Sequence, residues 1–289
     1  AAPDTVAFEA DARFLWAIED ERGLYVADID YPMAGRWGTR FTATLPDGRT
    51  ETVRADYDVA ESGKTPAIGA QAPSTDTPTL ADVGDDVAKV STDKTPERRF
   101  YETSVADALA ANKPFVLVFA TPAFCQTAVC GPTLEAVKGV AADYPTVTFI
   151  NVEPYKMVFT DGRLQPELSA AGQLQPAMWT EAFGLPSEPW VFVVDGDGKV
   201  TAKFETILAA DEMKAAIDPI VPTAATGIVT AVDQPSLTDV RGFTLRTADG
   251  VELVFSIGDL ELTAGAFPAN HLREHMATAE RVAPLDDRQ

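Results

Sequence analysis

Two cysteines are the residues of this 289-residue chain best able to do chemistry, because they are its only thiols and lie close together. Four residues separate Cys125 from Cys130, between an apolar run at 115–120 and a helical pattern at 133–143. A cysteine in such a loop lies near a helix N-terminus, whose partial positive charge favours thiolate over thiol. The pair is therefore either a reversible dithiol–disulfide or a permanent covalent brace.

The spacing of the pair limits how a disulfide can form. Residues five apart in a regular helix have Cα atoms roughly 8.5 Å apart, whereas a disulfide needs less than about 7 Å. The two cysteines can therefore bridge only if Cys125 lies outside the helix. Pro122 favours this, because a proline pushes the preceding residue out of helical conformation. Gly131 and Pro132 are typical of a cap and a first helical position.

The segments around the pair predict an α/β domain over residues 93–222. Ser104, followed three residues later by Asp107, predicts a capped helix to residue 112. Further patterns predict strands at 115–120 and 147–152, a hairpin around residues 196–198 and a last helix at 211–217. The stretch from 154 to 188 predicts an insertion over one end of the sheet.

Over residues 93–222 this order of elements resembles the thioredoxin fold. The resemblance implies that Pro189 is a cis-proline facing the cysteines, with Glu188 before it. It also implies that one thiolate attacks a substrate disulfide while the other cysteine resolves the mixed disulfide, and that Pro189 shapes the substrate groove. Thioredoxins have two residues between the cysteines, and this chain has four.

Which cysteine attacks stays open. Cys125 follows the strand directly, as the thioredoxin nucleophile does. The string from Cys130 to Pro132 is instead identical to the start of the thioredoxin Cys-Gly-Pro-Cys motif.

The flanking segments predict two small all-β domains, so the expected fold class is an α/β thioredoxin-like central domain between them. Residues 1–62 resemble the closing strands of an exported immunoglobulin-like sandwich. Only about three strands are predicted where a sandwich has about seven, so we expect the first half to be missing or supplied from elsewhere. Residues 63–92, rich in Pro and Thr, predict a linker. Residues 223–289 predict a small β domain with a C-terminal helix.

The charge balance restricts the partners. A formal net charge of −21 repels nucleic acid and anionic lipid, which excludes both as partners. No run of 18 apolar residues predicts a membrane span, and no signal peptide is visible. The resemblances imply an extracytoplasmic protein, periplasmic, secreted or anchored through a missing N-terminus. Its partners would be protein thiols and disulfides, or a protein of the cell envelope.

Two other functions compete with thiol–disulfide exchange. The string from Thr127 to Glu135 is similar to the peroxiredoxin loop, which implies a thiol peroxidase with Cys130 peroxidatic and Cys125 resolving. Peroxiredoxins also place an arginine late in the domain, and after Arg163 the next arginine is Arg241. The second rival is a non-catalytic cell-envelope scaffold whose β domains bind a partner and whose disulfide is structural.

The two histidines, His271 and His275, give a weaker metal signal. Their spacing places both imidazoles on one face of a predicted helix at 270–279, as a copper or zinc site requires. Sco-type exported proteins hold copper with two cysteines and a histidine, so copper handling is a secondary hypothesis. No other cofactor is predicted.

Overall fold

The computed structural model describes residues 5–18, 22–221, 227–233, 242–247, 250 and 252–256. The chain divides into two compact units, residues 1–221 and 222–289. The strands are β1 (Arg13–Ile18), β2 (Arg22–Val26), β3 (Gly35–Thr44), β4 (Thr50–Val59), β5 (Phe115–Phe119), β6 (Thr148–Val152), β7 (Met157–Thr160), β8 (Arg163–Pro166), β9 (Trp190–Val194), β10 (Val200–Glu205), β11 (Gly227–Asp233), β12 (Gly242–Thr247) and β13 (Glu252–Ser256). The α-helices are α1 (Val105–Ala110), α2 (Cys130–Ala141), α3 (Met178–Ala182) and α4 (Ala210–Ile217).

A mixed four-stranded sheet of order β10-β9-β5-β6 holds the core of the first unit. Strand β5 is parallel to β6 and antiparallel to β9, which is antiparallel to β10. All five residues of β5 and all five of β9 are buried. A continuous apolar strand of this kind is typical of a sheet covered on both faces.

Alternate residues of β5 point to opposite faces of the sheet and enter different clusters. On one face Val116 and Val118 pack in a cluster that includes residues of α2 and α4. On the other face Leu117 and Phe119 pack with Phe192 and with residues of α1. The sheet is therefore held between helices, and its ends are fixed positions on which loops can be built.

Helix α1 begins where the sequence predicts it, and helix α2 begins earlier than predicted. Ser104 caps α1, because its Oγ accepts a hydrogen bond from the backbone N–H of Asp107 at 3.0 Å. Helix α2 begins at Cys130, three residues before the predicted start. Pro132 is accommodated because the N–H groups of the first turn have no helical acceptor.

Residues 63–92, for which composition predicts a linker, lie within the first unit and pack against its central sheet and core. The backbone N–H of Gly69 donates to the carbonyl of Val200 at 2.8 Å, and the N–H of Val200 donates to Ala70 at 2.9 Å. These bonds pair the backbone of Val200, the first residue of the edge strand β10, which would otherwise be unpaired there. Leu80 and Val90 are buried in the core cluster that includes α2.

Two-stranded sheets make up much of the remaining first unit. Strands β1 and β2, β3 and β4, and β7 and β8 form antiparallel pairs. The β3–β4 pair runs without interruption from Gly35 opposite Val59 to Thr44 opposite Thr50. Most of its residues are exposed. The immunoglobulin-like character of residues 1–62 stays a prediction.

The predicted fold class, an α/β thioredoxin-like central domain flanked by two small all-β domains, is wrong. The described residues contain more strand (33%) than helix (20%), arranged in small β-sheets, and a four-stranded mixed sheet stands in place of the predicted α/β domain. The physical reason lies in element length. Helices α1 and α3 have only six and five residues, and the stretch predicted as an insertion forms the β7–β8 pair.

The second unit contains a three-stranded antiparallel sheet of order β11-β12-β13. Val229 and Leu245 lie opposite each other in it, and each is 2% exposed. The predicted helix at 270–279, with His271 and His275, lies outside the described residues. Among the residues that the structure describes, no helix is both long enough and apolar enough to cross a bilayer.

Candidate functional site

The cysteine pair lies where the central strand β5 leads into helix α2. Cys125 is in the connecting loop and Cys130 is the first residue of the helix. The two form a disulfide with their Cα atoms 5.9 Å apart. The disulfide is confirmed, and so is the requirement that Cys125 lie outside the regular helix.

The two sulfurs have different surroundings. Cys130 is fully buried, whereas Cys125 is only partly buried at the edge of the same core cluster. The backbone N–H of Cys130 donates to Cys125 Sγ at 3.2 Å. This N–H belongs to the first turn of α2, where no helical acceptor is available to it. A hydrogen bond of this kind, at the positive end of a helix, stabilises a thiolate on Cys125 after reduction.

The loop is fastened to the segment that precedes β9. The Glu188–Pro189 peptide bond is cis, as the resemblance implies. The backbone N–H of Gln126 donates to Glu188 Oε1 at 2.7 Å, and the Thr127 hydroxyl donates to the Glu188 carbonyl at 2.9 Å. Two residues that follow Cys125 therefore hold the cysteine loop against the residue before Pro189.

The carboxylate of Glu188 is the part of the site that the sequence did not reveal. Glu188 is 5% exposed, and its carboxylate oxygen and the two cysteine sulfurs all lie within 4.8 Å of one another. In the sequence, the position of Glu188 next to the expected cis-proline is the only signal for it. Glu188 adds a carboxyl oxygen to the sulfur pair.

Tyr155 interacts with Gln126 of the cysteine loop and with Glu188. Its hydroxyl accepts a hydrogen bond from Gln126 Nε2 at 2.9 Å. Burial, together with the neighbouring Glu188 carboxylate, raises the pKa of Tyr155 above its usual range. Tyr155 is therefore a neutral hydroxyl at physiological pH.

A second buried carboxylate lies behind the loop. Glu153 follows β6, is 4% exposed, and accepts a hydrogen bond from the backbone N–H of Thr92 at 2.7 Å. Thr92 Oγ1 in turn accepts a hydrogen bond from the N–H of Ala123 in the cysteine loop at 3.3 Å. Burial raises the pKa of Glu153 to about 7, against the hydrogen bond from Thr92, which favours ionisation. A group that titrates near neutrality is thus linked to the cysteine loop.

The predicted site residues are therefore only partly accounted for. The disulfide joins Cys125 and Cys130, and Pro189 follows Glu188, the residue that the cysteine loop contacts. The predicted metal ligands His271 and His275 lie outside the described residues. Within the described ranges, Cys125, Cys130 and Glu188 form a group of potential ligands close enough together to hold a metal ion.

Comparison with protein-family models, with curated protein sequences and with solved structures gives no match for this chain.

Proposed function

We propose that Cys125 and Cys130 form a reversible dithiol–disulfide that exchanges with the thiols and disulfides of other proteins. The observation that supports this most directly is the hydrogen bond from the backbone N–H of Cys130 to Cys125 Sγ. It places Cys125 at a helix N-terminus, which favours a thiolate against the opposing effect of the nearby Glu188 carboxylate, with a second sulfur directly behind it. The resemblance of residues 93–222 to thioredoxin-family redox proteins agrees with this chemistry and stays a prediction.

The two sulfurs take different roles in the proposed reaction. The Cys125 thiolate attacks one sulfur of a substrate disulfide, forming a mixed disulfide and releasing the other substrate sulfur as a thiolate. Cys130 gives its proton to that leaving thiolate and attacks Cys125 Sγ. The Cys125–Cys130 bond forms, the bond to the substrate breaks, and the second substrate sulfur leaves as a thiolate that takes a proton from solvent. Two electrons pass from the pair to the substrate, and the reverse sequence oxidises a substrate dithiol.

The assignment of Cys125 as the attacking residue follows from access. A substrate disulfide must approach the nucleophilic sulfur in line, and Cys130 is fully buried. Pro189, beside the Glu188 contact with the loop, is proposed to border the substrate groove. We also propose an extracytoplasmic location, because the disulfides of substrate proteins form and persist in oxidising compartments.

The reduction potential of the pair tests this function. The protein is equilibrated in glutathione buffers of graded potential, and free thiols are counted by alkylation and mass spectrometry. An exchange-active pair should have a midpoint reduction potential above about −300 mV, whereas structural disulfides typically have potentials below that value. A midpoint below that value contradicts the proposal.

Matched serine variants separate the roles of the two sulfurs. Cys130→Ser leaves the attacking thiol without its resolving partner, so it accumulates a mixed disulfide with a disulfide-bonded protein substrate. Cys125→Ser does not. The reverse pattern would assign attack to Cys130.

A structural disulfide is the second candidate, and the complete burial of Cys130 favours it. A small loop closed by a disulfide contributes about 2 kcal/mol in the chain-entropy account. In that case the chain would be a non-catalytic binding or scaffold protein of the cell envelope. The same burial disfavours a thiol peroxidase with Cys130 as the peroxidatic residue, because peroxide must reach that sulfur.

A further inference from the structure

Glu188 is a buried acid without a cationic partner. It is 5% exposed, and in the described part of the chain no Lys or Arg forms an ion pair with it. Its hydrogen-bond partners, the N–H of Gln126 and the hydroxyl of Tyr155, are uncharged. A buried carboxylate is costly unless a charge or a metal compensates it.

Two cysteine sulfurs lie within 4.8 Å of that carboxylate. We propose that the reduced form of the pair, together with Glu188, binds one Zn²⁺ ion. The proposal rests on the pair being reducible, which the proposed function also requires. It assigns a role to the dithiol state that does not depend on exchange with a substrate.

The distances suit a tetrahedral ion. Zinc binds thiolate sulfur at about 2.3 Å and carboxylate oxygen at about 2.0–2.2 Å, which places two sulfur ligands about 3.8 Å apart. When the disulfide opens, the sulfurs can separate to that distance by side-chain rotation, and the Glu188 oxygen is already within reach. The N–H of Gln126 orients the carboxylate, as hydrogen bonds around metal ligands commonly do.

The ligand set selects the class of ion. Thiolates favour soft and borderline ions over Mg²⁺ and Ca²⁺, and a carboxylate beside them favours Zn²⁺ over Cu⁺. Three protein ligands leave a fourth position for water or another molecule. Both cysteines lose their protons on binding, so zinc and the disulfide are mutually exclusive states of the same pair. Bound zinc would hold Cys125 back from attack on a substrate.

Zinc uptake by the full chain tests the site. The protein is reduced with a phosphine, freed of reductant without oxygen, and titrated with Zn²⁺ against a chromophoric chelator. One equivalent should bind to the reduced protein, and the oxidised protein should bind at least about 100-fold more weakly because it offers no thiolates. Zinc should also protect both thiols from alkylation. Absence of uptake by the reduced protein would overturn the proposal.

Variants assign the ligands. Glu188→Gln should weaken zinc binding by at least about tenfold, and the exposed Glu181→Gln should not change it. Circular dichroism shows whether each variant is folded. The double variant His271→Ala, His275→Ala removes the only histidines of the chain. In its reduced form it should still bind one equivalent of zinc. Equal affinity in Glu188→Gln and Glu181→Gln, or loss of the equivalent in the histidine variant, would overturn the assignment.

The two proposals fail in different ways. The glutathione titration is carried out without metal and reports on exchange alone. A pair that exchanges but takes up no zinc contradicts only the metal site. A pair that phosphine reduces and zinc occupies, but that glutathione does not reduce, contradicts only the exchange function.

Discussion

The β3–β4 pair and the central strands β5 and β9 show two different ways in which a strand can be formed. Strands β3 and β4 each have ten residues and are paired along their whole length, yet Phe41 and Val53, which lie opposite each other, are 53% and 65% exposed. Strands β5 and β9 are half as long and fully buried. Strand pairing fixes local geometry, whereas burial requires a second layer of structure on the sheet.

The candidate site lies where the buried core meets a partly exposed loop. Cys130 belongs to the buried layer, because it begins the helix that covers β5. Cys125 belongs to a partly exposed loop that is held by the disulfide and by hydrogen bonds to Glu188. A rigid sulfur behind a more accessible one is the arrangement that thiol–disulfide exchange needs, and it arises because the disulfide spans the edge of the core.

The largest effect should come from the centre of the buried strands. Leu117→Ala removes a fully buried side chain from the middle of β5 and should lower the free energy of unfolding by about 3–4 kcal/mol, through lost burial and a residual cavity. Urea denaturation followed by tryptophan fluorescence measures the change. The control Leu168→Ala, at a residue 52% exposed, should change stability by less than about 0.5 kcal/mol. Equal effects at the two positions would mean that burial does not distinguish the regions.

The sequence predicted the buried strands well, because a continuous apolar run needs no partner to be recognised. Phe115–Phe119 and Trp190–Val194 are such runs, and each forms a strand of the central sheet. The cysteine loop was found for a similar reason, since two thiols and a proline lie within a few residues. Both signals are local, because they depend only on residues that are close together in the sequence.

The fold class and the Glu188 carboxylate could not be predicted in this way. Alternating patterns in β3 and β4 predicted strands but could not show whether a second sheet covers them. The contact between Gln126 and Glu188 joins residues 62 positions apart, and no local pattern encodes it. The helix predicted to extend to residue 112 is also shorter in the structure, where α1 has six residues, and the short α3 lies in the stretch predicted as an insertion.

An intermediate effect should come from Glu153, the buried acid behind the cysteine loop. Its pKa rises from 4.5 in the unfolded chain to about 7 in the folded protein. Between these values the folded state holds a proton that the unfolded state has released, so the free energy of unfolding should fall as the pH rises from about 4.5 to 7. Well above pH 7, where the folded state has also released the proton, this destabilisation is complete and constant.

Glu153→Gln removes this pH dependence and keeps an oxygen to accept the hydrogen bond from Thr92. Relative to the wild type, the variant should gain about 2 kcal/mol of stability between pH 5 and pH 7.5. Urea denaturation at several pH values measures the difference. Glu102→Gln, at an exposed position, is the control and should follow the wild-type profile. A variant whose stability relative to the wild type does not change with pH would show that Glu153 is ionised throughout.

The smallest effect should come from the exposed β3–β4 pair. Phe41→Ala removes a larger side chain than Leu117→Ala does, yet it should change the free energy of unfolding by less than about 0.5 kcal/mol, because more than half of Phe41 is already in water. A double-mutant cycle with Val53→Ala should give a coupling energy of only about 0.2–1 kcal/mol, as expected for a cross-strand pair. A loss above about 2 kcal/mol at Phe41 is typical of a packed core. That result would mean that in solution another surface covers this face of the pair, and that the contrast between the two regions holds only for the isolated chain.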